Sequence, residues 1–344
     1  MAMDVVRLTS ESEKAWQRFV EDSPEATLGH ALGWRNVVQR TYHHTPYYLM
    51  AMDGQSAEGL LPLFLIDSPF FGQFLVTAPY LSYGGLLANS DRASSALIQA
   101  ARELAIEQKA KYVEIRGRSR SDPGLLLKDK YCTFLLPLSA GHEILWQRFE
   151  GGRARKAVRR ALKSGLIVER GHHLSTNFAE VLSRHMRDLG TPFHHRQFYQ
   201  CITEEFPQQS EILMVRHGDR YIAGLLLVSY KDTVYDLYAA GLGEYKSLAP
   251  GSLLIWEAIR SACERGFAYF DLGRSRWDSG TFFFKRQWRA HPVPLFYEYH
   301  LMSGTNVPDV DPTNARFRWA IAFWKRLPVF AAKALGPLII RDIP

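Results

Sequence analysis

The feature that most restricts what this chain can fold into is an internal repeat. YLMAMDG at 48–54 lines up with ILMVRHG at 212–218, and GRSR at 117–120 returns at 273–276. Apolar runs at 48–52 and 60–66 flank Asp53-Gly54, and runs at 212–215 and 223–230 flank His217-Gly218. Both are hairpin signals. Phe74–Ala78 and Thr233–Gly241 read as third strands. Helices are predicted from Asp91 through Lys109 and from Pro250 to about Arg265, each with apolar residues at helical spacing. Strands at 111–115 and 269–272 then break into the two GRSR loops. One four-letter string recurs easily by chance. Its return at the same step of the same succession predicts a tandem duplication of a βββαβ unit.

A chain of 344 residues has room for two such units. Hydrophobic residues at 47% and charged ones at 22% describe a soluble globular protein and exclude a disordered one. Cys132, Cys201 and Cys263 lie far apart without a Cys-x-x-Cys spacing, so neither a zinc site nor a disulfide framework is expected. His172-His173 and His194-His195 are adjacent pairs that point different ways and lack a carboxylate cluster, so no metal is expected there either. The N-terminus lacks a basic start and apolar core, and no uninterrupted apolar run is long enough to span a bilayer. A cytoplasmic location is the expectation. The net charge of +7 and pI near 9.2 suit an anionic partner: a nucleotide, tRNA, acyl-CoA, lipid phosphate or acidic membrane surface.

Three segments are expected: a first unit at 1–143, a second at 144–304 opening with a basic helical connector, and a tail at 305–344. The remaining helices are expected at 11–20, 28–39, 175–189 and 194–205. In the connector, Arg153, Arg155, Lys156, Arg159, Arg160 and Lys163 crowd one short helix ended by Gly165. Arg155, Arg159 and Lys163 share a face. That face is either solvated or a clamp on phosphate or tRNA backbone. The tail, 314–340, mixes Trp319, Phe323, Trp324 and Phe330 with Arg318, Lys325, Arg326 and Lys333 around Pro328. It reads as a helix docked on the core or lying on an anionic membrane.

The chemistry concentrates in 266–288, GFAYFDLGRSRWDSGTFFFKRQW. A buried strand breaks at Gly273 into a basic loop with Arg274 and Arg276, then meets an aromatic wall containing Lys285. Buried among those rings, the ammonium would have a lowered pKa or face a ligand anion; otherwise it snorkels. Asp271 either serves as general base or pairs with Arg274 or Arg276. Pro250-Gly251-Ser252 opens a helix whose free N–H groups and dipole could receive phosphate. Only the second unit has the aromatic stretch from Trp277 to Trp288, which narrows the expected site to that half.

An ordered set of motifs then resembles the FemAB-like family of tandem GNAT-fold aminoacyltransferases. It comprises His30-x-x-x-Trp34, PYLSYGG at 79–85, RKAVRRALKSG at 155–165, LGTPF at 189–193, FDLGRS at 270–275, and Phe284-Lys285 followed by Trp288. The pattern is most similar to the branch associated with exosortase (PEP-CTERM) and exopolysaccharide systems. The resemblance implies an α/β (α+β) fold: two GNAT-like units with mixed, largely antiparallel sheets, plus a helical tail. It implies transfer of an aminoacyl or acyl group from aminoacyl-tRNA or acyl-CoA, used as co-substrate, to an amine of a cell-envelope or exopolysaccharide intermediate. No tightly bound cofactor is expected, and the protein would work in the cytoplasm or at the inner face of the membrane. Lys285 would stabilise the oxyanion or leaving hydroxyl, with Phe284 and Asp271 beside it. Arg155, Arg159, Lys163, Arg274, Arg276, Tyr83, Trp34 and Tyr238 would bind substrate or phosphate, and Pro250, Gly251 and Ser252 the donor. Two positions depart from the pattern: Arg289 replaces a glycine, and Val38 replaces a lysine that contacts nucleotide phosphate. A non-catalytic assembly factor binding a nucleotide-sugar or lipid carrier is the other reading.

Overall fold

The structure, a computed structural model, describes residues 3–69, 71–149, 152–302 and 318–343. In chain order the elements are β1 (Asp4–Arg7), α1 (Glu13–Asp22), α2 (Leu32–Tyr42), β2 (Thr45–Asp53), β3 (Ser56–Ser68), β4 (Gly72–Thr77), β5 (Leu87–Ala88), α3 (Asp91–Glu107), β6 (Tyr112–Gly117) and β7 (Leu126–Pro137). There follow α4 (Gly141–Arg148), α5 (Arg153–Lys163), β8 (Ile167–Arg170), α6 (Ser175–Leu189), α7 (Arg196–Glu205), β9 (Ser210–His217), β10 (Arg220–Tyr230), β11 (Thr233–Gly241) and α8 (Pro250–Glu264). The chain ends with β12 (Tyr269–Asp271), β13 (Ser275–Arg276), α9 (Gly280–Arg286), β14 (His291–Leu301), α10 (Arg318–Arg326) and α11 (Val329–Ile340). The expected helix at 28–39 is a 3-10 turn at Leu28–His30 followed by α2.

Two compact units emerge, and their borders do not follow a single cut. One comprises the described residues of Met1–Tyr131, Pro294–Val310 and Arg341–Pro344; the other, those of Cys132–Val293 and Asp311–Ile340. Residues 132–143 thus lie with the second unit and 294–302 with the first. Two strands unannounced by the sequence pattern cause this. β7 gives its last residues to the second unit, where Leu135–Pro137 pair antiparallel with β12. β14 gives Phe296–Leu301 to the first, antiparallel to β6.

Each unit follows one plan. In the first, the order is β1-β2-β3-β4-β6-β14; in the second, β8-β9-β10-β11-β12-β7. Each has an edge strand, two helices, an antiparallel three-strand meander, a crossover helix and a parallel strand: β6 beside β4, β12 beside β11. The repeated letters fall on matching places, YLMAMDG and ILMVRHG on the first hairpins and both GRSR strings just after the parallel strands.

The crossover helices form because their apolar residues share one face. Ser90 caps α3, its hydroxyl accepting from Ala93 N, and Leu97, Ala101 and Leu104 pack against Leu61, Leu75 and Val113. In the second unit Leu254, Ala258 and Ile259 of α8 join Leu225, Phe270 and Trp288 in the core. The connector α5 adds Ala154, Val158 and Ala161 to that core and turns its cations outward. Fully burying one of the leucine, isoleucine, valine or phenylalanine side chains in these cores contributes roughly 1.5–3 kcal/mol.

Candidate active site at a fork between strands

In both units the parallel strands separate after a short register, and the units differ in what happens there. In the second, β11 and β12 pair only from Thr233↔Tyr269 to Tyr235↔Asp271. Past that point the β10–β11 register slips between Leu226 and Leu227, which pair with Tyr238 and Asp236, so Leu237 is an extra residue. Such a bulge bends the strand and re-aims its side chains. Gly273, at φ +76°, turns the other chain away. A Cβ at Gly273 would lie 3.1 Å from the Asp236 carbonyl and 3.8 Å from Lys285 Nζ, so close approach as well as left-handed backbone requires glycine.

Lys285 reaches this fork from α9, whose start Ser279 caps by accepting from Phe282 N at 3.2 Å. Its ammonium donates to the carbonyls of Gly273 and Arg274, each at 2.9 Å. An ammonium has three protons. Among the described residues the third has no acceptor. Burial lowers the lysine's pKa; Asp236 and Asp271, both nearby, oppose that shift. Asp236 responds in the opposite direction: desolvation pushes its carboxyl up to about 7, against the pull of Lys285 and with the push of Asp271. Two groups of opposite charge type are thereby moved toward each other's titration range, as at proton-transferring sites. The Cys132 thiol, also within reach of Lys285, is pushed up to about 11 by burial.

The expected site residues fall into several places. Asp271 is buried; its Oδ1 accepts from Thr133 Oγ1 at 2.5 Å and from Gly273 N at 2.8 Å. Asp271, expected either as general base or as a partner of Arg274 or Arg276, has a carboxylate that braces the turn, and Asp236 is the less buried carboxyl. Phe284 is half-buried against the core. The aromatic stretch divides: Phe282 packs on Phe134 at 5.1 Å, Trp288 is fully buried against Phe149, and Phe283 is exposed. Arg274 lies at the fork, and Arg276 on the short strand β13 just after it. Tyr238 is on β11 past the fork, its hydroxyl 3.2 Å from His194 Nε2. Pro250, Gly251 and Ser252 open α8 without a side-chain cap, and a Cβ at Gly251 would meet nothing within 4 Å. Pro250 and Ser252 are buried, and Gly251 is the part-exposed residue of that turn.

Arg159 and Lys163 project from the exposed face of α5, and Arg155 lines a groove elsewhere in the unit. Trp34 and Tyr83 belong to the first unit, and both are buried there. Trp34 is fully buried, its Nε1 donating to Pro79 O at 3.1 Å; His30 accepts from Thr27 N, and its Nε2 donates to Gly85 O at 2.9 Å. These two side chains clamp both ends of the 79–85 loop. That loop enters the first unit's own fork: Gly84 N donates to Arg116 O at 3.1 Å, and Tyr83 is buried beneath the Arg118 guanidinium. The β3–β4 register there has no slip. The first fork is filled by its own 79–85 loop, whereas at the second the Lys285 ammonium sits on the carbonyls of Gly273 and Arg274.

Sequence reasoning missed Asp236. Its signal was present: one carboxylate inside the otherwise apolar strand 233–241.

Residues 152–286 match the model of the acetyltransferase (GNAT) domain. The fold is GNAT-like. FemX superposes with a TM-score of 0.68 at 17% identity, over 87% of this chain and 98% of that one. The C-terminal domain of a putative lysylphosphatidylglycerol synthetase from Agrobacterium fabrum gives 0.56 at 13% identity, over 84% and 92%. A tandem GNAT protein from the clavulanic acid biosynthesis pathway gives 0.59 at 11% identity, over 87% and 100%. At these identities the likeness is one of fold. No curated protein matches the sequence. Among the described residues no group of three or more His, Cys, Asp or Glu could hold a metal ion, and no helix is long and apolar enough to cross a membrane.

Proposed function

We propose that the second unit transfers an acyl group, in the first instance an aminoacyl group, from an activated ester or thioester to an amine of a cell-envelope or exopolysaccharide intermediate. One observation carries this reading: at the fork, Lys285 has two protons held on carbonyls and a third unassigned, beside the half-buried carboxyl of Asp236. The acceptor nitrogen attacks the acyl carbon, forming C–N, while the third Lys285 proton meets the carbonyl oxygen as it gains charge. Asp236 takes the proton released by the nitrogen and returns it to the leaving oxygen or sulfur as C–O or C–S breaks. Donor phosphates face Arg274, Arg276 and the start of α8, with Tyr238 and Phe284 lining the approach.

The donor is aminoacyl-tRNA or acyl-CoA. The GNAT match supports the thioester; FemX and a lysylphosphatidylglycerol synthetase among the neighbours support an envelope acceptor, in the exosortase-associated setting to which the motif order points. Working at the inner membrane face suits α10 and α11. They dock on the unit by burying Trp324 and Ala332 against Phe193, yet leave Trp319 86%, Phe323 64% and Phe330 76% exposed. The start of the expected tail, through residue 317, lies outside the described residues.

The test is transfer of label from aminoacyl-tRNA or acetyl-CoA to amine acceptors by the purified chain and by Lys285→Met. Label transfer by wild type alone supports the reading. Equal label on both, with both folded, removes Lys285 from it. Polymer production sustained in cells by Lys285→Met favours the assembly-factor reading.

A further inference from the structure

On the second unit, away from the fork, an open groove of about 670 Å³ is bounded by Arg148, Gly152, Arg155, Arg289 and His291 over a floor that includes Leu145 and Phe149. None of the Lys285, Asp236 and Asp271 cluster lines it. The floor also includes Leu136 and Pro137, which pair with Phe270 and Tyr269; the fork begins beyond the other end of that short register.

Among the described residues that line it, none is acidic. Among the described residues, none of the three guanidinium groups has a carboxylate partner. Like charges gathered over an apolar floor repel, and an anion removes that cost. Arg289 makes the case sharper. It holds φ +58°, a left-handed conformation that costs a side-chain-bearing residue free energy and suits glycine. Its Nε donates to Arg148 O at 3.1 Å, which fixes the guanidinium and leaves its four other N–H groups without a partner among the described residues. Arg155 folds back over the start of its helix: a Cβ on Gly152 would lie 3.7 Å from Nη2. That helix start has no side-chain cap, so its first N–H groups and positive dipole end add to the same field.

We propose that this groove is a binding site for a phosphate-bearing small molecule, a phosphomonoester or diphosphate, with Arg148, Arg155 and Arg289 as its ligands. The site is separate from the fork and does not depend on the transfer reading. Binding is therefore measured in the full chain and again in Lys285→Met, which leaves the groove intact.

Isothermal titration with inorganic pyrophosphate and inorganic phosphate is the probe, with acetate as a singly charged control. Pyrophosphate should bind more tightly than phosphate, and acetate not measurably. Arg289→Gly and Arg148→Gln should each weaken pyrophosphate about tenfold or more, the loss of one charge-assisted hydrogen-bonding partner. Arg160→Gln, exposed on the same helix but off the groove, should leave binding unchanged. Arg289→Gly carries a second readout, because relief of the left-handed strain should raise its melting temperature without ligand while affinity falls. A general folding defect would lower both. No pyrophosphate binding by wild type, or equal losses in Arg160→Gln and Arg289→Gly, would overturn the site. Loss of binding in Lys285→Met would move it to the fork.

Discussion

Replacing Asp236 by Asn tests the fork without knowledge of any substrate. Folding raises this carboxyl from the ordinary 3.8 to about 7, chiefly through desolvation. Between those values the native state holds a proton that the unfolded chain has released. Stability is then fully present below the unfolded value and lost as pH rises through the folded one. At about 1.4 kcal/mol per unit the ceiling is near 4 kcal/mol. Asp236 is half-buried, so solvent screening reduces this to about 2 kcal/mol. For a unit of this size that is a shift of roughly 4–8 °C in melting temperature. Asn keeps the shape and removes the titration. Thermal melts from about pH 3.5 to about pH 8 should show wild type losing ground to Asp236→Asn by that amount, with most of the change complete by about pH 7. In a Lys285→Met background the midpoint should move higher, because the cation that holds the carboxyl down is gone. Parallel curves for wild type and variant would mean that Asp236 titrates as an ordinary surface carboxylate, and its role as proton acceptor would fall with that.

Three further outcomes follow from the same geometry. Gly273→Ala, forced to keep φ +76° with its Cβ 3.1 Å from a carbonyl, should lose about 1–3 kcal/mol in urea unfolding and lose transfer as well. Trp34→Phe should cost stability through the lost bond to Pro79 O while leaving kcat for any substrate unchanged; a selective fall in kcat would return Trp34 to the site. Trp319→Ser with Phe330→Ser should abolish flotation with anionic liposomes at unchanged melting temperature, because both rings are exposed and bury nothing; unchanged flotation would remove the membrane contact.

Much of this architecture was legible because local rules and the repeat agreed. Hairpin turns at Gly54 and Gly218, the Pro250 helix start and the two GRSR breaks fall where spacing predicts, while α3 is capped by Ser90, one residue before the expected Asp91. β7 and β14 were not legible, for a physical reason. LLKDKYCTFLLP alternates poorly because its first half is exposed and its second buried, and HPVPLFYEYHL carries two prolines at its start. Each strand also serves two units, so no single periodicity describes it. At the site, Lys285 stood out as a cation among rings. Asp236 did not, since strand propensity absorbed it and only the register slip at Leu237 re-aims it.

The two forks of the same repeat differ in what borders them. Both copies separate a parallel pair after a short register, a geometry that leaves backbone edges unpaired and costs free energy unless something occupies the gap. The first copy fills its gap with the 79–85 loop, where a Cβ on Gly85 would meet Arg116 O at 2.6 Å and only glycine allows the approach. His30 and Trp34, which read from sequence as motif residues and so as binding residues, hold that plug at its two ends. In the second copy a short 3-10 helix, Gly243–Leu248, links β11 to α8, and the gap is bordered by a bulge, a left-handed glycine and a lysine with a proton to give. A motif repeated in a chain therefore does not carry the same meaning in each copy. Its function is decided by whether the neighbouring loop can enter the fork, and Gly84 and Gly85 make that possible in the first unit alone.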